Sequence, residues 1–559
     1  MDMTRFPRFS DMKRKFKTLF LTGLLLITPV LFTGWYDKEF EWSKNLEIYH
    51  SLIRELELCY VDETDPGKMI RTSIDQMLRN LDPYTVYIPE SQTEDLQLMT
   101  TGEYGGVGAL IGQDSLNVYI SDPYEGSPAE RAGLRAGDII RKVDDRSVAG
   151  KRTSEISPLM KGALGSSVKL TVERPYTRET ITVTLVREKI RFPNVPYYSL
   201  ISPETGYIRL AGFTEGAGRE VREALENLKG QGVRSVVLDL RGNPGGLLIE
   251  AVEVMNIFVP KGQEIVSTRG KSRQWEATYT CRSEPVDTLI PVAVLVNSGS
   301  ASASEIVAGA MQDLDRGIIV GQRTFGKGLV QTTRNLSYNA NLKLTTAKYY
   351  IPSGRCIQAL DYSHRRPDGS VGNIPDSLTT SFKTTTGRVV KDGGGIGPDI
   401  SVEPQQLSGI ATHLIYRNKL FDFATRYRNL NPAIPRPADF TPTDQLYADF
   451  RNFLAEQKFT YKTATEEALN QLISAATAER YYESSKSIFE ALKKDLSHDL
   501  DKDLAIFKPE ISSILADEII GRYYYQKGRI EYMLRDDKGL SRALEALHNQ
   551  EDYRKILGK

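Results

Sequence analysis

Apolar residues recur as Leu46, Tyr49, Ile53, Leu56 and Tyr60, a spacing that places them on one face of a helix. The pattern returns from Met69 to Leu81 until Asp82-Pro83 breaks it, so residues 37–92 read as an N-terminal helical domain. From 93 to 188 the texture changes to short apolar runs between glycine turns, as in a small β-domain carrying a few helices. From 189 to 404 apolar strands alternate with helical patterns, with candidate strands at Tyr207–Leu210, Val233–Leu240, Val292–Asn297 and Ile318–Val320. The run Asp392-Gly393-Gly394-Gly395 reads as a boundary loop. Residues 405–559 are helical and charged; Leu446, Phe450, Phe453 and Leu454 share a face behind Thr443 as N-cap. The predicted class is multidomain α/β: an α/β core with an inserted β-domain, an N-terminal helical domain and a C-terminal helical extension.

The first residues change the expected location. Arg5, Arg8, Lys13, Arg14, Lys15 and Lys17 precede an uncharged, Leu-, Ile- and Phe-rich stretch from Thr18 to Tyr36. A basic flank before an apolar run marks residues 1–36 as a signal peptide or signal anchor, with the body exported to a bacterial-type envelope or periplasm. Lys+Arg and Asp+Glu balance at 72 each in 559 residues, so no global field draws the chain to nucleic acid. The five histidines, at 50, 364, 413, 498 and 548, have no metal-binding spacing, so neither a metal nor another cofactor is expected. The three cysteines form no CxxC; one bridge, Cys281–Cys356, and three separate thiols both fit.

Candidate chemistry sits in three stretches. Asp239-Leu240-Arg241-Gly242-Asn243-Pro244-Gly245-Gly246 ends an apolar strand. Asn297-Ser298-Gly299-Ser300-Ala301-Ser302-Ala303-Ser304-Glu305 joins another strand to a helical run. A serine in such a small-residue turn is open to attack a carbonyl, with helix-terminal amides beside it. Ser302-Ala303-Ser304-Glu305 equally fits a capping box. The third stretch, Gly321 to Gln331, contains GxxxxGK, but Gly328 stands where a phosphate loop needs Ser or Thr, and a β-like run follows.

Upstream, Gly105-Gly106-Val107-Gly108-Ala109 and the later SPAERAGLRAGD segment, Ser127–Asp138, resemble a PDZ domain, which binds a peptide carboxylate on converging amides and adds the peptide to a sheet edge. In order and spacing, Leu81-Asp82-Pro83-Tyr84, RGNPGG, GSASASE, TFGKGLVQ, LTTAKYY, PSGR and GIGPDI resemble the C-terminal-processing peptidases, Ser/Lys serine proteases, from about Glu41 to Val402. The resemblance implies a PDZ domain over 93–188 and a peptidase core over 189–404. It makes Ser302 the nucleophile, Lys327 the general base and Gln331 the residue that orients the lysine. The Ala303 amide and that of Gly245 or Gly246 form the oxyanion hole, and Gly105, Gly106, Val107, Gly108 and Ala109 bind the substrate tail. A lysine base must be neutral, although a free lysine titrates at about 10.4. The implied partners are proteins with accessible C-terminal tails; homo-oligomerisation and membrane association stay open, and a catalytically silent PDZ scaffold is the rival reading.

Overall fold

The computed structural model describes residues 39–366, 368–496 and 499–559; the expected signal or anchor over 1–36 lies outside them. Among the described residues, no helix is long and apolar enough to cross a membrane. The chain divides into two units, up to Tyr87 and from Ile88 onwards. The first contains helix α1 (39–59) and α2 (Pro66–Arg79), with Asp65 accepting the Lys68 N–H as N-cap and Pro66 at the first helical position. In its Leu-Asp-Pro-Tyr motif, Asp82 Oδ1 accepts the amides of Tyr84 and Thr85, each at 2.8 Å.

In the second unit, α3 (Thr93–Thr101) leads into β1 (Glu103–Gly106), β2 (Ala109–Gln113), β3 (Val118–Pro123), α4 (Pro128–Arg131), β4 (Ile139–Val143), α5 (Thr153–Met160), β5 (Ser167–Glu173), β6 (Thr180–Val186) and β7 (Glu188–Arg191). Strands β2–β3–β4–β5–β6 form one sheet in that order, with β2 at the edge beside α5. Ile120, Leu170, Val172 and Ile156 fill its interior. Entering β1 pairs antiparallel with leaving β7, so both chain connections of the domain run through one two-stranded ribbon.

The core follows: β8 (Tyr197–Ser202), β9 (Thr205–Arg209), α6 (Ala217–Gly230), β10 (Ser235–Asp239), α7 (Leu248–Met255), β11 (Glu264–Gly270), β12 (Ala277–Thr280), β13 (Val292–Val296), α8 (Ala303–Asp313), β14 (Ile318–Gly321), β15 (Leu329–Asn335), β16 (Asn341–Tyr350) and β17 (Ile400–Ser401). Its main sheet runs β8–β9–β10–β13–β14–β17, parallel except for β8. Strands β15, β16, β11 and β12 pair antiparallel in a second sheet.

Val-Val-Leu in β10 and Val-Ala-Val-Leu-Val in β13 are apolar on both faces, as strands of a doubly covered parallel sheet must be. Helices α6, α7 and α8 cover one face, where Leu225, Val254, Ile306 and Met311 meet Val236, Leu238 and Val294.

The other face is covered by part of the helical C-terminal extension expected over 405–559. That region forms α9 (Gly409–Tyr416), α10 (Lys419–Leu430), α11 (Asp444–Glu456), α12 (Ala464–Ala478), α13 (Tyr482–Leu496), α14 (Leu500–Ile506), α15 (Lys508–Met533), α16 (Lys538–His548) and α17 (Gln550–Ile556). Helices α9, α10, α11, α14 and α15 share a core of their own around Phe423, Phe450, Phe453, Leu515 and Ile519, with Thr443 accepting the Leu446 N–H as the cap of α11. Helices α16 and α17 belong instead to the main sheet: Leu540, Ala543, Leu547 and Tyr553 cover Val237, Ala293, Leu295, Ile318 and Val320. The sheet's outward-facing apolar residues require this second layer.

Candidate active site

The turn joining β13 to α8 places Ser302 at the helix N-cap with φ 56° and ψ −114°, outside the usual regions for a residue with a side chain. The three serines of SASAS differ in environment. Ser300 Oγ donates to the Leu240 carbonyl at 2.8 Å and Ser304 Oγ to the Asn243 carbonyl at 2.9 Å, and both residues are fully buried. Ser302 is half-buried at the mouth of the turn.

Gly245, at φ 97°, lies directly against the serine: a Cβ there would sit 2.8 Å from Ser302 Cβ and 2.9 Å from Ala303 N. Only glycine fits that approach. Gly245 N–H donates to Asn243 Oδ1 at 2.9 Å, and its carbonyl accepts the Phe213 N–H at 3.1 Å. Gly246 follows at φ 149°, beside Phe213. The turn is held from behind by Asp239, fully buried, which accepts from Tyr207 Oη at 2.7 Å and pairs with Arg209 and Arg241. Those cations hold the Asp239 carboxyl below its ordinary range against the opposing effect of burial.

Lys327 lies half-buried in the loop between β14 and β15. Its stretch runs into a strand rather than a helix, and its amides face a carboxylate. Glu305 Oε1 accepts the Thr324 hydroxyl at 2.6 Å and Gly326 N–H at 2.7 Å. Glu305 Oε2 accepts Lys327 N–H at 2.9 Å and Ser302 N–H at 2.9 Å. A phosphate loop needs such amides free for an anion, so this geometry argues against that reading.

Glu305 therefore does more than the cap expected from S-x-x-E, because its one buried side chain ties the serine turn to the lysine loop. Burial raises it to about 7 despite the four donors. Tyr349, from β16, makes a second tie: its hydroxyl donates to the Lys327 carbonyl at 2.6 Å and lies 3.3 Å from the Ser302 carbonyl. Sequence reasoning passed over both roles; the S-x-x-E spacing and the Lys-Tyr-Tyr match were the available signals. Gln331 sits on β15 beside a register shift, with its amide nitrogen donating to Thr345 Oγ1 at 3.2 Å. Arg355 of PSGR is buried and pairs with Asp313 at 2.8 Å, bracing the far end of α8.

In the inserted domain, the run Gly105, Gly106, Val107, Gly108 and Ala109 spans the end of β1, a turn and the start of β2. Gly105 and Gly106 belong to the ribbon, opposite Lys189 and Glu188, and glycine is needed there, since a Cβ at Gly105 would strike the Gly162 carbonyl and one at Gly106 would come within 2.5 Å of the Tyr104 ring. Val107 packs in the domain core rather than lining an open pocket. Gly108 alone turns, at φ 76°, and its carbonyl accepts the Ser127 hydroxyl at 2.8 Å. Ala109 opens the edge strand β2. The three cysteines are free thiols, so the Cys281–Cys356 bridge is absent; Cys281 is buried, which raises its thiol to about 12.

Comparison with known proteins gives three family-model matches: peptidase family S41 over residues 204–364, a PDZ domain over 119–174, and the C-terminal helical domain of probable PDZ-proteases over 410–547. A carboxy-terminal-processing protease of Bartonella bacilliformis is 36% identical over 346 residues, 61% of this chain and 79% of its own. A probable CtpA-like serine protease of Staphylococcus aureus strain MRSA252 is 36% identical over 435 residues, 77% of this chain and 84% of its own. Among solved structures, the photosystem II D1 C-terminal processing protease matches 64% of this chain and 87% of its own, at 31% identity and a TM-score of 0.35.

Proposed function

The chain belongs to the carboxy-terminal-processing proteases of peptidase family S41 and is a serine-type peptidase, and we propose that it cleaves exported proteins with a Ser302–Lys327 pair after its PDZ domain captures their C-terminal tails. One observation carries the assignment of the nucleophile. Ser300 and Ser304 spend their hydroxyls inside the fold, whereas Ser302 stands at the mouth of a strained strand-to-helix turn, joined to the lysine loop through Glu305.

In this reading, neutral Lys327 takes the proton from Ser302 Oγ as that oxygen attacks the scissile carbonyl. The oxyanion is met by the Ala303 amide, the first of α8, and by a glycine amide of the RGNPGG turn. Gly246 suits that part better than Gly245, whose N–H is given to Asn243. The intermediate collapses to an acyl-enzyme, and the leaving amine receives the proton from Lys327. Water, activated by the same lysine, then releases the acyl group. Gln331, on the strand that follows the loop, orients the amine. The tail adds to β2, the edge strand alongside α5. Charge and apolar order in residues 1–36 support export to the envelope, with the membrane as a second association.

The test incubates the full chain with an unfolded protein and maps the cuts by mass spectrometry. Ser302→Ala is expected to give none. Ser300→Ala and Ser304→Ala are expected to keep cutting while losing on the order of 1 kcal/mol of stability each for the forfeited hydrogen bond. A dead Ser304→Ala beside an active Ser302→Ala would reverse the assignment.

A further inference from the structure

The proposed chemistry leaves the helical extension without a part, yet one stretch of it touches both the PDZ domain and the catalytic turn. Helix α15 does not run straight: Tyr525 sits at φ 53°, ψ −154°. A non-glycine residue stays in that region only where its surroundings hold it. Here its hydroxyl donates to Glu130 Oε1 at 2.9 Å, on α4 of the PDZ domain. Lys527, just past the bend, lies 3.4 Å from Glu125 of the same domain. Arg529 folds back so that its guanidinium lies over Gly521, where a Cβ would stand, and pairs with Asp517 and Glu518.

After the turn Leu534–Asp536, Asp537 caps α16 by accepting the Leu540 N–H at 2.9 Å. The same carboxylate takes Arg241 at two points, Nη1 to Oδ1 at 3.0 Å and Nη2 to Oδ2 at 2.6 Å. Arg241 belongs to the turn that carries Gly245 and Gly246, and its other carboxylate partner is Asp239 of the main sheet. One guanidinium is thus clamped between the peptidase core and the extension, in the bidentate geometry that sets orientation as well as distance.

We infer that Asp537 is a positioning residue for the peptidase site, acting through Arg241 on the RGNPGG turn, and that the Tyr525 bend ties this positioning to the PDZ domain. The inference rests on the proposed role of that turn in holding the oxyanion. Gly245 has no clearance from Ser302 and Ala303, so a displacement of the turn reaches the nucleophile and the helix amide directly. Donors aimed at a developing charge lose their effect steeply when moved.

The test uses the full chain and an internally quenched peptide with an amidated C-terminus, with competent sites counted by end-point labelling with a fluorophosphonate. Asp537→Asn keeps a good helix cap but gives up the charge paired with Arg241. Its kcat per labelled site should fall about tenfold with KM within about twofold, since the loss is of transition-state stabilisation and not of ground-state binding. Tyr525→Phe removes only the hydroxyl that meets Glu130. It should lower kcat on the same peptide by about threefold, within the range expected for residues that couple distant sites. That peptide offers no tail carboxylate, so an effect of Tyr525→Phe on it has to travel through the segment. Wild-type kcat per labelled site in Asp537→Asn would overturn the positioning role, including the case where total activity falls only because less protein is folded. Wild-type kcat in Tyr525→Phe would overturn the tie to the PDZ domain. Turnover by Ser302→Ala would instead sink the underlying reading of the site, which neither variant probes.

Discussion

Glu305 presents its carboxylate to four donors and no acceptor. Only the ionised form accepts all four; a proton arriving on either oxygen has to displace one of them. Because burial raises the group to about 7, activity should fall on the acid side as pH drops through that value. The sign for stability is opposite: between the ordinary carboxylate range and about 7 the folded chain holds a proton that the unfolded chain releases, so this group weakens folding as pH rises across the window. Glu305→Gln brings an N–H₂ against donors, and should cost about a hundredfold in kcat while erasing the limb near 7. A pH–rate profile of that variant superimposable on the wild type would remove Glu305 from the account. Lys327 is tested by its conservative partner. Arginine keeps the charge but cannot give up its proton at working pH, so Lys327→Arg should be as inactive as Lys327→Ala. Turnover by the arginine variant, measured on the quenched peptide, would end the general-base assignment.

At the scale of elements, β2 and α5 form the place where a tail is expected to dock. The free carboxylate is one half of that recognition and the open strand edge the other. Amidating a substrate protein's C-terminus should therefore slow its cleavage, read as a rise in KM, while short internal peptides are cut as before; equal KM values for the two forms would mean that the domain does not read tails. Gly106→Trp is a poorer probe than its sequence suggests, because a side chain there meets Tyr104 in the ribbon and disturbs the domain's attachment. The glycine cluster shows how far sequence reading carried. Strands of the parallel sheet were legible from unbroken apolar runs, while the proposed roles of Ser302, Lys327 and Gln331 rest on motif order. The glycines were legible as tight places but not by purpose, since a ribbon and a carboxylate turn both demand small residues. Glu305 and Tyr349 were hidden for a related reason. Their partners lie elsewhere in the chain, and a local capping pattern explains the glutamate well enough without them.

For the whole molecule, the main sheet is completed from the far end of the described chain. Leu540, Ala543, Leu547 and Tyr553 are interleaved with strand residues of β9, β10, β13 and β14. Removing residues 538–559 should leave that apolar face bare, giving a species that binds a hydrophobic dye, melts without cooperativity and cuts nothing. A soluble, cooperatively melting and active truncation would mean that the helices are dispensable. The same arrangement sets a clock on biosynthesis. The sheet's last strand ends at Ser401, while its second cover begins only at Lys538. At 5–20 residues per second, the ribosome needs on the order of ten seconds to cross that interval. Throughout it the nascent core has only one side of its main sheet covered, so that sheet is expected to be completed last.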